Sequence, residues 1–294
     1  MFNDAITAKT LDTMHRTNLR SGTTSFLPTL ITTCDDAIWQ AMDVVQNYRQ
    51  SYPYRVLGLH LEGPYLNPSR RGIHDAGFIR PPDSQMVDAL TKAGSEVVKL
   101  VTLAPEVVSA PLIRLLVAAG IVVSAGHTEA SFETALAGFD AGISMVTHLF
   151  NAMSPWLGRT PGVVGAALSR ADVYAGVIAD GHHVHYGSIQ LAHRIKQDRL
   201  FLVTDATPPA GAQVESFVIG GQEVFYKDGK CVSAEGTLGG SALTMIEAVQ
   251  NCVQYVNISL AEALRMATLY PAQAIGMAQQ LASGSRVQSR YHTF

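Results

Sequence analysis

The run Val56-Leu57-Gly58-Leu59-His60-Leu61-Glu62-Gly63-Pro64 reads as a buried strand that ends on a carboxylate. Its apolar residues suit a strand covered on both faces, and Gly63-Pro64 stops it abruptly. A charge left at such an exit is costly without a partner, so Glu62 wants a cation or a strong donor. Three later segments repeat the design: residues 121–126 deliver His127, 143–147 deliver His148, and 200–204 deliver Asp205. One such strand is ordinary. Glu, His, His and Asp at successive strand exits point to a metal-dependent hydrolase built at one end of a parallel barrel.

Outward from that strand the chain alternates strands and helices. Residues 4–20 carry Ile6, Leu11, Met14 and Leu19 at helical spacing, 23–28 are strand-like, and 35–48 form an amphipathic helix. The polar loop 67–82 is long enough to be functional. Helices are predicted at 111–119, 131–141 and 186–196, each leading into a strand, with a further strand at 173–178. Around 217–232 the texture changes, and the Gly220-Gly221 and Asp228-Gly229 turns predict small antiparallel hairpins. Residues 241–255 and 260–268 predict helices, the second capped by Ser259. Parallel-type strands lie near 23, 56, 97, 121, 143, 173 and 200, one short of the eight in a closed barrel. The expected fold is α/β, a TIM-type (β/α)8 barrel of the metal-dependent hydrolase kind without its first strand. Residues 1–294 then make a single, incomplete catalytic barrel with a small antiparallel insertion near 214–234.

Hydrophobic residues make up 47% of the 294 and charged ones 15%, the balance of a soluble globular enzyme. A net charge of −3 leaves no footprint for nucleic acid or an anionic membrane, so any substrate phosphate must be caught locally. Cys34, Cys231 and Cys252 are far apart, which suits a reducing compartment and argues against a cysteine-ligated zinc framework. Asp4, Lys9, Asp12, Arg16 and Arg20 leave no signal-peptide core. The apolar stretch 115–125, broken by Gly120, is too short to span a bilayer. The expected location is cytoplasmic.

Glu62, His127 and His148 make a two-histidine, one-carboxylate set suited to a catalytic divalent metal with an open water position. Their spacings of 65 and 21 residues are no local motif, and either histidine alone reads as a buried residue bonded to backbone. Their shared address at strand exits favours ligands. His60 faces the same side of its strand as Glu62 and reads as structural. Asp205 is the candidate general acid and base, because a metal-bound water near pKa ~7 needs a carboxylate to take its proton. The plainer reading makes it an N-cap for the turn at Thr207-Pro208-Pro209. Asp180-Gly181 reads as turn chemistry. Of the cluster His182, His183 and His185, His183 is assigned to substrate. Asn151 and Arg159 are donors fit for an anion, although a lone loop arginine is usually only solvated. The run Gly236-Thr237-Leu238-Gly239-Gly240-Ser241 ahead of a helix can offer backbone N–H groups.

Taken together, His60-Leu61-Glu62-Gly63-Pro64, Ser124-Ala125-Gly126-His127-Thr128, Thr147-His148-Leu149-Phe150-Asn151-Ala152-Met153 and Val203-Thr204-Asp205-Ala206 stand in a telling order. With Ala179-Asp180-Gly181-His182-His183 and the 236–241 run, they closely resemble the N-acetylglucosamine-6-phosphate deacetylases of the amidohydrolase superfamily. The likeness runs from about residue 2 to about residue 277. The resemblance implies one divalent metal held by Glu62, His127 and His148, with zinc first and iron, manganese or cobalt as alternatives, and Asp205 as proton shuttle. It implies sugar-phosphate contacts from Ile73 and His74, Asn151 and Ala152, Arg159, His183, and Leu238 and Gly239. It also implies a homo-oligomer whose phosphate pocket a neighbouring subunit often completes. Two departures stand out: the family's first barrel strand with most of its small β-domain is missing, and residues 281–286 run into an unrelated tail. The competing readings are another amidohydrolase acting on a different amide, and an inactive remnant that only binds sugar phosphate.

Overall fold

The computed structural model describes residues 2–282. Parallel strands β1 (Thr29–Ile31), β2 (Leu59–Glu62), β3 (Val98–Leu103), β4 (Val122–Ala125), β5 (Met145–Val146), β6 (Tyr174–Val177) and β7 (Leu200–Leu202) lie side by side in chain order. Helix α1 (Ala8–Arg20) precedes β1 and α2 (Asp35–Ser51) follows it. The later crossovers are α3 (Ser84–Ala93), α4 (Ala110–Ala118), α5 (Phe132–Asp140), α6 (Gly162–Ser169) and α7 (Tyr186–Lys196). Neighbouring strands sit about 4.8 Å apart, so β2 and β5 would be roughly 14 Å apart in a flat sheet. Side chains at their ends nevertheless meet, Glu62 Oε1 lying 3.1 Å from His148 Nε2. The sheet is therefore curled into a partial (β/α) barrel with β1 and β7 at its edges.

Burial on both faces explains the strand composition: every residue of β3 is buried, including Thr102 on the inside. The outer layer is amphipathic, with α2 burying Ile38, Ala41, Met42, Val45 and Tyr48 at helical spacing. Ser131 caps α5 through the Thr134 N–H, and Asp83 caps α3 through that of Met86. The first strand sits later than the sequence suggests. Its ladder opens at a Phe26–Val56 bridge, but Pro28 has no N–H to donate, so regular pairing begins at Thr29. Helices α3 and α6 fall where no helix was expected, and α6 is apolar almost throughout, with Gly162 to Ala167 buried.

The antiparallel part is larger than two hairpins. Strands β8 (Ser216–Ile219), β9 (Gln222–Lys227), β10 (Lys230–Ser233) and β11 (Leu238–Ser241) form one sheet in the order β11-β10-β9-β8. Ile219, Val224 and Cys231 pack on Ile31 and Ile73, which fastens this sheet to the β1 side of the barrel mouth. The glycine-rich run is thus a strand rather than a loop, because β10 offers it a partner edge. Helix α8 (Met245–Asn251) accordingly starts only after Thr244, which forms a capping box with Glu247. A π-helical turn at Cys252–Val256 leads to α9 (Leu260–Ala267) and α10 (Leu269–Ala274). No helix among the described residues is long and apolar enough to cross a membrane.

Candidate active site

Glu62, His127 and His148 converge at the strand exits, all buried. Glu62 Oε1 lies 3.2 Å from His127 Nε2 and 3.1 Å from His148 Nε2, and the two imidazole nitrogens are 3.1 Å apart. Tetrahedral coordination at 2.0–2.1 Å separates neighbouring ligand atoms by about 3.3 Å, so this triangle is of metal-binding size. The Arg70 carbonyl, 2.8 Å from His127 Nδ1, can only accept, so Nδ1 carries the proton and Nε2 presents its lone pair inward. Lone pairs aimed together beside a carboxylate fit a cation. Backbone conformation is part of the design: His127, His148 and Asp205 all have positive φ, at 49°, 33° and 49°. Such angles are uncommon outside glycine and cluster where surrounding structure enforces them for function. Gly126 lets the chain turn into His127, since a Cβ there would approach Thr102 Cγ2 to 2.7 Å.

A layer of hydroxyls lies beneath this triangle. His60 bonds Thr29 Oγ1 at 3.0 Å and Thr102 Oγ1 at 2.8 Å, and Thr102 continues to Thr147 and Ser124. Burial, together with His127 and His148, lowers the His60 pKa to about 4 against the pull of Glu62, so it is a neutral structural residue. His74 is also buried; its ring centre is 4.4 Å from that of His127, and its Nδ1 lies 2.8 Å from Thr32 Oγ1. Burial and the neighbouring His127 take its pKa to about 3. Asp180 behaves as a turn residue with a purpose. One oxygen accepts the backbone N–H groups of His182 and His183, and the other accepts His183 Nδ1–H at 2.6 Å, aiming that ring. Burial would raise the Asp180 carboxyl, but these bonds hold it below its ordinary value.

Asp205 stands at the exit of β7, open to solvent, within the electrostatic reach of Glu62, His148 and His183. Crowding by the mouth and the Glu62 charge push its carboxyl above the ordinary range, with the histidines opposing; water at the residue softens the first of these. Ile73 and Gly239 are neighbours, a Cβ on Gly239 coming within 3.1 Å of Ile73 Cγ2. Leu238, half-buried, adjoins them on β11. The Asn151 amide is turned to backbone, 3.3 Å from the His148 carbonyl, and the Ala152 carbonyl takes the Thr128 N–H. Arg159 lies in an exposed loop with Trp156 and Leu157, each 57% exposed.

The profile of the Amidohydrolase family matches residues 2–283. An N-acetylglucosamine-6-phosphate deacetylase of Haemophilus influenzae is 45% identical over 286 residues, which are 96% of this chain and 74% of the relative. The chain belongs to the amidohydrolase family. An N-acetylgalactosamine-6-phosphate deacetylase of Shewanella sp. is 38% identical, over 94% of this amidohydrolase and 70% of its own length. The crystal structure of N-acetylglucosamine-6-phosphate deacetylase from Pasteurella multocida superposes with a TM-score of 0.93 at 48% identity, covering 95% of this chain and 73% of that one.

Sequence reasoning passed over several residues that organise this amidohydrolase site. Glu106 takes Asn67 Nδ2, the Thr128 hydroxyl and the Glu129 N–H, knotting the loops that follow β2, β3 and β4. Ser241 and Thr207 do similar work around Asp205. Neither pattern has a local signal, because each links segments far apart in the chain. The ligand electrostatics also make a prediction. Burial alone would lower the His148 pKa, but the bond to and charge of Glu62 outweigh it and raise it, so the metal-free cluster keeps a proton where an ion would sit. Metal must displace that proton. Apparent affinity should therefore weaken about tenfold per pH unit as pH falls through the raised His148 pKa. Zinc titrations between pH 5.5 and 8 (roughly the span over which imidazole titrates) measure this slope, and a flat profile would contradict the ligand set.

Proposed function

We propose that this amidohydrolase removes the acetyl group of N-acetylglucosamine 6-phosphate, giving acetate and glucosamine 6-phosphate in amino-sugar catabolism. The observation that carries the reading is the Glu62–His127–His148 triangle, with Asp205 on the same mouth. The names of the similar Haemophilus and Pasteurella proteins supply the substrate class. Glu62, His127 and His148 would hold a divalent ion, zinc first with iron, manganese or cobalt as alternatives, which would supply an acidic water and polarise the acetyl carbonyl. Asp205 accepts a proton from the attacking water and passes it to the sugar nitrogen as the C–N bond breaks. The water oxygen ends in acetate; one of its protons reaches the departing amine through Asp205, and the second, left on the new acid, passes to the amine to give acetate and the ammonium sugar. His183, aimed by Asp180, and His74 face the sugar and its acetyl group. Ile73 with Leu238 and Gly239 forms the wall beside them, and Asn151, Ala152 and Arg159 serve the phosphate.

In this reading the whole chain is one catalytic unit, the small sheet serving the barrel mouth. It works as a cytoplasmic homo-oligomer, in keeping with its three free cysteines and the exposed Trp156 and Leu157 beside Arg159. The test is amine release from N-acetylglucosamine 6-phosphate, its galactosamine epimer and unphosphorylated N-acetylglucosamine. Loss of the phosphate should lower kcat/KM on the order of 10³-fold, because donors built to hold it would lose their charged partner. Equal rates with and without phosphate would favour a different amide substrate. The galactosamine epimer is the second reading, favoured by the Shewanella relative, and a higher kcat/KM for it would replace the first.

A further inference from the structure

Strand β11 lies against the segment that carries Asp205, and Ser241 is its point of contact. Ser241 is 1% exposed. Its N–H donates to the Asp205 carbonyl at 2.8 Å, and its carbonyl accepts the Thr207 N–H at 2.9 Å and the Thr207 hydroxyl at 2.7 Å. Its own hydroxyl donates to the Thr204 carbonyl at 2.5 Å while accepting the Leu243 N–H at 3.0 Å. One residue thus grips the chain before, at and after Asp205. That grip matters because Asp205 has φ 49°, a left-handed conformation uncommon outside glycine and set here by what surrounds it. Gly240 makes the approach possible. With φ +70°, it has room only for hydrogen, as a Cβ would come within 2.4 Å of Thr207 Cγ2 and 3.0 Å of the Asp205 carbonyl.

We propose that Ser241 is the positioning residue for Asp205, fixing the left-handed backbone that directs its carboxyl at the reacting atoms. The proposal rests on the reading of Asp205 as proton shuttle. Ser241→Ala removes the hydroxyl bonds to the Thr204 carbonyl and the Leu243 N–H and leaves the backbone pairs. It should lower kcat about 10- to 100-fold, with KM within roughly twofold and metal content unchanged, since a misaimed shuttle harms the chemical step rather than binding. Combined with Asp205→Asn, it should cost nothing further, because the group it aims is already disabled. Thr207→Val, which removes the other hydroxyl of the grip, should show the same selective fall in kcat and decides the matter if Ser241→Ala does not fold. Wild-type kcat in either folded variant, a loss appearing in KM or metal content, or a full loss repeated in the Asp205→Asn background would overturn the proposal. Normal turnover by Asp205→Asn itself would instead overturn the shuttle reading.

Discussion

Asp205→Asn is expected to lower kcat by about 10³-fold with metal content and KM near those of the parent. Asparagine matches aspartate in size and, like it, tolerates the left-handed backbone that φ 49° demands, so the β7 exit should keep its shape. What it cannot do is take a proton and return it. The substrate nitrogen is a poor leaving group until protonated, so both halves of the transfer are lost together. Crowding and Glu62 hold the Asp205 carboxyl above its ordinary range, which makes it a stronger base than an isolated aspartate. Steady-state amine release and metal analysis on the same preparation test this. A variant within tenfold of the parent kcat would mean that another group moves the proton.

The convergence of the candidate site residues is readable in the sequence because each sits in a pattern that leaves little freedom. An apolar run that ends on Glu62, His127, His148 or Asp205 places a costly polar group at a strand exit, and parallel strands put all their exits at one end. The four ends of β2, β4, β5 and β7 therefore share a rim before any contact is known. Helix α6 was invisible for the opposite reason: Gly162-Val163-Val164-Gly165-Ala166-Ala167 is buried all round, so it shows no polar face and no periodicity. Strand β11 was hidden by its glycines, which read as a loop because the sequence does not show that β10 and the Asp205 segment lie on either side of it. His60 was read as structural, and its place between Thr29 and Thr102 is of that kind. The position of Arg159 depends on loop geometry, and its type alone could not place it. Residues that act through strand ends could be read locally; those that act through tertiary hydrogen bonds, such as Ser241, Thr207 and Glu106, could not.

Glu62→Gln should abolish stoichiometric metal binding and with it at least about 10³-fold of the activity, while the chain stays folded. Glutamine fills the same space at a residue only 4% exposed, so packing around Leu61 and Tyr65 is undisturbed. The change is electrical. Burial disfavours the Glu62 carboxylate, and the neighbouring His127 and His148 more than compensate, holding its pKa well below the ordinary range. In the metal-free protein that anion also keeps a proton on His148. A neutral amide removes the charge that attracts the ion and the charge that stabilises the protonated histidine at the same time. Two effects should therefore appear together. Metal measured after dialysis should fall to background, and the His148 pKa should drop in the metal-free variant, because the burial that lowers it is no longer opposed by Glu62. A pH titration of the ring by NMR reads the second effect without any turnover. A variant that kept its metal, or a His148 that titrated as before, would place the ion elsewhere and leave the three convergent side chains as an ordinary buried hydrogen-bond cluster.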